Sequence, residues 1–232
     1  MKAAVREIWL PFNVALEGRV PWMYLDARGR VSTAVGVPLD ETVRELGVPT
    51  ARHRANSLAA SRRLPWRHGV RGPFASDPDI DAAWETVKQH RDLARRGRRR
   101  FQRLTDLRLT EGAIDRMVFD RLDRTETLVR GRMVRAESGA VALPFDDFET
   151  WPADAQLALL SMCWVAGPAF DLPRFHAAAA RRDWLACAVE CRVEPDMGAV
   201  ARRNERNRQL FRYAYLVERD ALDPERLAYD PR

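Results

Sequence analysis

Two carboxylic acids nine residues apart, with a hydroxyl six further on, raise the question of chemistry in this chain. In "EGRVPWMYLDARGRVSTAVG", residues 17–36, Glu17 closes a short apolar segment, Asp26 opens a turn and Ser32 follows on the next extended stretch. A carboxyl group at a helix C-terminus, among apolar neighbours, has its charged form disfavoured by the helix dipole and by desolvation. One in a polar turn stays ionised more readily. Two carboxyls whose surroundings push them apart can divide the work of general acid and general base. Each also has a plain structural use, since a helix-end Glu is commonly solvated and an Asp heading a turn serves turn geometry.

The elements that would position these groups are legible from periodicity and turn chemistry. Residues 5–17 read as a short helix, with Phe12 and Leu16 on its apolar face, Pro11 in its first turn and Gly18 as its stop. Asp26-Ala27-Arg28-Gly29 has turn chemistry between β-formers, which predicts a hairpin. On its second strand Val31, Thr33, Val35 and Val37 alternate with Ser32, Ala34 and Gly36. Period two sends the branched residues to a packed face and the small ones to a face with room for a flat polar ligand. Alternation therefore favours Ser32 over Thr33 as the hydroxyl that positions a water. Tyr24 either lines the cleft or packs in the core.

Residues 38–78 show no clear periodicity. From Asp79 the chain reads as helical, with Ile80, Trp84, Val87 and Ala94 marking one stripe up to Gly97. Ile114, Met117, Val118 and Leu122 mark a second stripe after Thr110. The basic run "ARRGRRRFQR" between them reads as a solvated junction. "TWPADAQLALLSMCWVAGP" is apolar on nearly every side, as a helix buried all round would be, with Thr150 as its cap. Asp183 begins another helix, "ARRNERNRQLFRYAYLV" gives a last amphipathic one, and the residues after Leu222 read as a tail. The expected fold is α+β and mainly helical, one domain over 1–222 with a tail over 223–232. Within it, a small β-containing lobe (18–78) and a larger helical lobe (1–17 and 79–222) flank a cleft, a usual place for a substrate.

The net charge of +6, carried almost wholly by arginine, favours a polyanionic partner. No nucleic-acid-binding motif is present, so nucleic acid is the weaker candidate. Three cysteines are too few for a disulfide framework, and Cys187 and Cys191, four apart with no further ligand nearby, read as buried thiols. No run is long enough for a membrane anchor, and the opening residues lack the pattern of a secretory signal. The expectation is synthesis in the cytoplasm without a signal peptide.

Glu17-Gly18, Tyr24-Leu25-Asp26, Gly29, Ser32 and Gly36 resemble the active-site signature of phage-type lysozymes, glycoside hydrolase family 24. There a glutamate is followed by an aspartate nine later and a threonine six further on. "WPADAQLALLSMCWVAGPAF" is similar to that family's buried central helix, and "RRNERNRQLF" to its late Arg-Arg helix. The resemblance implies a lysozyme-like fold and a muramidase, an inverting peptidoglycan hydrolase cutting between N-acetylmuramic acid and N-acetylglucosamine. It implies Glu17 as general acid, Asp26 assisting the attacking water and Ser32 in the threonine position. Arg203 stands where the family has its arginine near the glutamate, with Arg202 as rival. Thr33, Tyr24 and Gly36 would be supporting residues. The departures are Ser32 for threonine, Ala34 where relatives carry glycine, and Val37 where they carry a polar residue. Neither metal nor organic cofactor is expected, because carboxyl-driven glycoside cleavage needs none. Peptidoglycan is the expected partner, reached after phage release or by injection, with delivery machinery or an immunity protein as further partners.

Overall fold

Helix α1 (Ala3–Glu17) buries Val5, Trp9, Phe12 and Leu16 on one stripe at three- and four-residue spacing. It starts two residues earlier than the apolar pattern suggests, and Pro11 stands inside the helix and not in its first turn. Its missing N–H leaves the Glu7 carbonyl without the usual helical donor. The computed structural model describes residues 1–40, 50–135, 141–142, 144–194, 196 and 198–229. The chain divides into two compact units, Glu17–Phe119 and Met1–Leu16 with Asp120–Arg232.

In the first of these, β1 (Val20–Leu25), β2 (Val31–Ala34) and β3 (Val37–Pro38) form an antiparallel sheet in that order. The hairpin expected at Asp26–Gly29 is present, closed by Gly29 N–H to the Asp26 carbonyl and Asp26 N–H to the Arg30 carbonyl, both 2.9 Å. A register shift between Val20 and Tyr24 on β1 sets Tyr24 opposite Ser32. The second strand is shorter than alternation predicts. It stops at Ala34, turns at Val35-Gly36 and returns as β3, with Thr33 opposite Val37. Two left-handed residues, Ala34 at φ 55° and Gly36 at φ 69°, bend the chain there. The expected open face is also not open: Val31, Ser32, Thr33 and Ala34 are all buried.

Helices complete this unit. Within residues 38–78, expected to be irregular, α2 (Ala51–Arg62) is started by a reciprocal Thr50–His53 cap. Residues 41–49 lie outside the described residues. α3 (Asp77–Gln89) begins with the same device between Ser76 and Asp79 and stops well short of Gly97. The basic run continues as 3₁₀ segments Arg91–Arg96 and Arg98–Arg103. β4 (Arg67–His68) pairs antiparallel with β5 (Leu107–Arg108), and α4 (Glu111–Arg130) follows. The unit boundary does not fall near residue 79. The buried Asp40 carboxylate accepts from Val31 N–H (3.0 Å), Trp84 Nε1 (2.9 Å) and Lys88 Nζ (2.5 Å), so α3 is locked to β2. Lys88 also donates to the Gly29 carbonyl, bracing the hairpin turn.

The other unit holds the short pair β6 (Val134–Arg135) and β7 (Val141–Ala142), then α5 (Ala153–Ala166), α6 (Pro173–Ala180), α7 (Trp184–Glu190) and α8 (Gly198–Arg219). Every residue of α5 from Ala153 to Trp164 is buried, as its unbroken apolarity requires. Pro152, not Thr150, stands at its N-cap. Phe145, Trp151, Phe175, Trp184 and Phe211 form an aromatic cluster, with Trp151 and Trp184 edge to face at 4.9 Å. The three cysteines are free and buried, and burial pushes the Cys163 and Cys191 thiols up to about 12. The residues after Leu222 are tied down: the Pro224 carbonyl accepts from Ala153 N–H, and Ala228 and Tyr229 N–H reach the Asp154 carboxylate. The described chain is thus mainly helical, with small antiparallel sheets.

Candidate active site

Glu17 is the last residue of α1, and Gly18, at φ 65°, turns the chain directly into β1. The Glu17 side chain is half-buried and lies against the Val35-Gly36 turn. A Cβ on Gly36 would stand 3.3 Å from Glu17 Oε2 and 3.4 Å from Cδ and Cγ. Gly36 therefore serves two ends: it takes a left-handed conformation, and it leaves the space that the carboxyl occupies. Its sequence signal is ambiguous, because a glycine in an alternating run looks like part of a small-residue face.

Asp26 heads the opposite end of β2. Its Oδ1 accepts from the N–H groups of Arg28 and Arg30, 2.9 Å each, and its Oδ2 takes Arg30 Nε and Nη2, 2.8 Å each. A carboxylate offers about four lone-pair sites. All four are engaged within the hairpin, so the structural use of Asp26 is fully realised. Arg30 was not singled out from sequence, although an arginine four residues after a turn-heading Asp is a pattern worth reading.

Ser32 lies between the two acids on β2, 2% exposed, and its hydroxyl makes no hydrogen bond among the described residues. The Thr33 hydroxyl donates to the Val20 carbonyl at 3.2 Å, so it is used in holding β1 to β2. Tyr24, opposite Ser32, is buried. Glu17, Gly36, Ser32, Tyr24, Thr33 and Asp26 thus belong to one unit: Tyr24, Ser32 and Thr33 on the small sheet, Asp26 and Gly36 in its two turns, and Glu17 at the helix end that leads into it. Arg203 belongs to the other unit, on α8. It is 1% exposed, and its Nη1 donates to Asn13 Oδ1 (2.9 Å) and Ser161 Oγ (3.1 Å). Asn13 stands four residues before Glu17 on α1.

No family model, curated protein or solved structure matches this chain. Its chemistry is read from its own side chains. Among the described residues no three His, Cys, Asp or Glu groups are placed to hold a metal ion, and no helix is long and apolar enough to cross a membrane. What the sheet and the helix end beside it offer is one half-buried carboxyl seated on a glycine turn, one carboxylate saturated by two backbone N–H groups and the Arg30 guanidinium, and a hydroxyl on the strand that joins the two turns. That set can donate a proton, and it can hold a water once a lone pair on Asp26 is released.

Proposed function

We propose that this chain has a lysozyme-like fold and is a muramidase, cleaving the β-1,4 bond between N-acetylmuramic acid and N-acetylglucosamine in peptidoglycan. The observation that carries the reading is the Glu17 carboxyl resting on Gly36, at the end of a helix and beside a hairpin that carries a second acid. Glu17 gives its proton to the leaving glycosidic oxygen. Asp26 and the Ser32 hydroxyl orient the attacking water. The inverting route is the one the family resemblance implies, with a water placed between the two carboxyl groups. Arg30 must swing off Oδ2 before Asp26 can take that water.

The test incubates purified sacculi with wild type and Glu17→Gln and counts new reducing ends. Release should fall at least about a hundredfold in the variant, the scale of a lost general acid. Equal release by both proteins, or none by wild type, overturns the proposal.

A second reading, a lysozyme-like protein that binds wall without cutting it, is favoured by one observation: every lone-pair site of Asp26 is already taken. It expects the chain to pellet with intact sacculi while no soluble muropeptides appear. In either reading the site of action is the cell wall, reached by phage release or injection, and an immunity protein is the partner a producer would need.

A further inference from the structure

Five half-buried arginines of the Glu17–Phe119 unit have described side chains, and four have their donors engaged. Arg19 pairs with Glu111 and Asp115, and Arg30 with Asp26. Arg67 donates to the Gly72 carbonyl and covers the Phe74 ring. Arg108 is held by the carbonyls of Gln102, Thr105 and Leu107. Arg98 is the exception. Among the described residues its guanidinium meets neither a carboxylate nor a carbonyl, yet it is not splayed into solvent. It is packed on Gly18, the residue directly after Glu17: a Cβ there would stand 2.3 Å from Nη2 and 3.0 Å from Cζ. Its main chain is pinned as well, since Trp22 Nε1 donates to the Arg98 carbonyl at 3.0 Å.

A guanidinium has five donors and no acceptor. Packed on a glycine, with its carbonyl held by Trp22, it is less free than an arginine splayed into solvent, so an anion has less freedom to freeze out. We propose that Arg98 is an anion-recognition residue beside Glu17, and that its ligand is a carboxylate carried on the glycan. Muramic acid bears such a group on its lactyl ether, whereas a chitin chain bears none. The inference rests on the reading of Glu17 as the cutting group and narrows its substrate: the sugar next to the scissile bond is selected by charge. Gly18 then has a second reason to be glycine, because any side chain would displace the guanidinium.

The experiment uses the intact chain carrying Glu17→Gln, so that nothing is turned over. Binding of the N-acetylglucosamine–N-acetylmuramic acid disaccharide is compared with that of the chitin disaccharide, at low and at high salt. The anionic disaccharide should bind about tenfold more tightly at low salt, the scale of one charge-assisted hydrogen-bonded pair. Adding Arg98→Gln should erase the preference and leave chitin binding unchanged. Gly18→Ala, which keeps the charge but moves it, should erase most of it too and covers the case in which Arg98→Gln fails to fold. An unchanged preference in both variants, or none in the parent, overturns the inference. Reducing-end release by wild type is scored separately. Release together with an Arg98-independent preference sinks the inference alone, while an Arg98-dependent preference without release sinks the muramidase and leaves the anion site.

Discussion

At the scale of single residues, the turn under Glu17 makes opposite demands on its two left-handed positions. Ala34 holds φ 55° and carries a Cβ, a conformation that costs an L-residue about 1–2 kcal/mol. Replacing it with glycine removes that strain at an unfolded-state cost of about 0.5–1 kcal/mol. Ala34→Gly should therefore raise the urea midpoint slightly or leave it unchanged, where alanine-to-glycine changes ordinarily lower it. Gly36→Ala should do the reverse, losing about 1–2 kcal/mol to backbone strain. It should also push the Glu17 carboxyl aside, since the new methyl would sit 3.3 Å from Oε2. If Glu17 delivers a proton, Gly36→Ala should cut kcat on sacculi about tenfold or more, because small misplacements of a reacting group are costly. A loss of stability with kcat intact would mean that the contact only packs. Ala34's strain is invisible in sequence, since alanine sits comfortably in strands and helices and nothing marks it as left-handed.

At the scale of elements, what was legible followed from strong local signals. Asp26 through Gly29 read as a turn because the turn's hydrogen bonds come from those residues themselves, and α5 read as buried because no face of it is polar. The missed features depend on distant partners or carry only a short local sign. The lock between Asp40 and Lys88 spans 48 residues and has no local pattern. α2 shows only Leu58 as a large buried residue, so apolar periodicity could not reveal it, and its signal lay in the Thr50–His53 cap. Arg203 was picked by resemblance, and its local geometry is that of a structural tie. It joins α8 to Asn13 on α1 and Ser161 on α5, while Asn13 Nδ2 in turn donates to the Trp9 carbonyl at 2.9 Å. Ser161→Ala removes one acceptor and should cost about 1 kcal/mol. Arg203→Met strands buried polar groups on two helices and should cost roughly 3 kcal/mol. Both are read from urea unfolding. A cost for Arg203→Met no larger than that for Ser161→Ala would show that the tie is dispensable.

At the scale of the whole molecule, the pH profile of stability is a contest between two buried groups. Asp154, at the start of α5, accepts N–H bonds from Ala228 and Tyr229, 2.9 Å each, but burial outweighs them and raises its pKa to about 6. His176, among Phe145, Phe170 and Phe175, is pushed down to about 4, chiefly by burial, with Arg132 adding to the shift and Asp171 opposing it. The signs are opposite. Between pH 4 and 6 the folded Asp154 binds more proton than its unfolded counterpart, so this group loses stability as pH rises through that window. Over pH 4 to 6.5 the folded His176 binds less proton than the unfolded, so stability is lost as pH falls. Each shift corresponds to about 3 kcal/mol, so the contributions of these two groups oppose one another at similar size. Removing either should expose the other. Asp154→Asn should make the chain steeply less stable from pH 6.5 down to pH 4, and His176→Leu should make it more stable over the same range. Urea titrations at several pH values read both slopes. Parallel profiles for wild type and the two variants would mean that neither group is desolvated as its surroundings require.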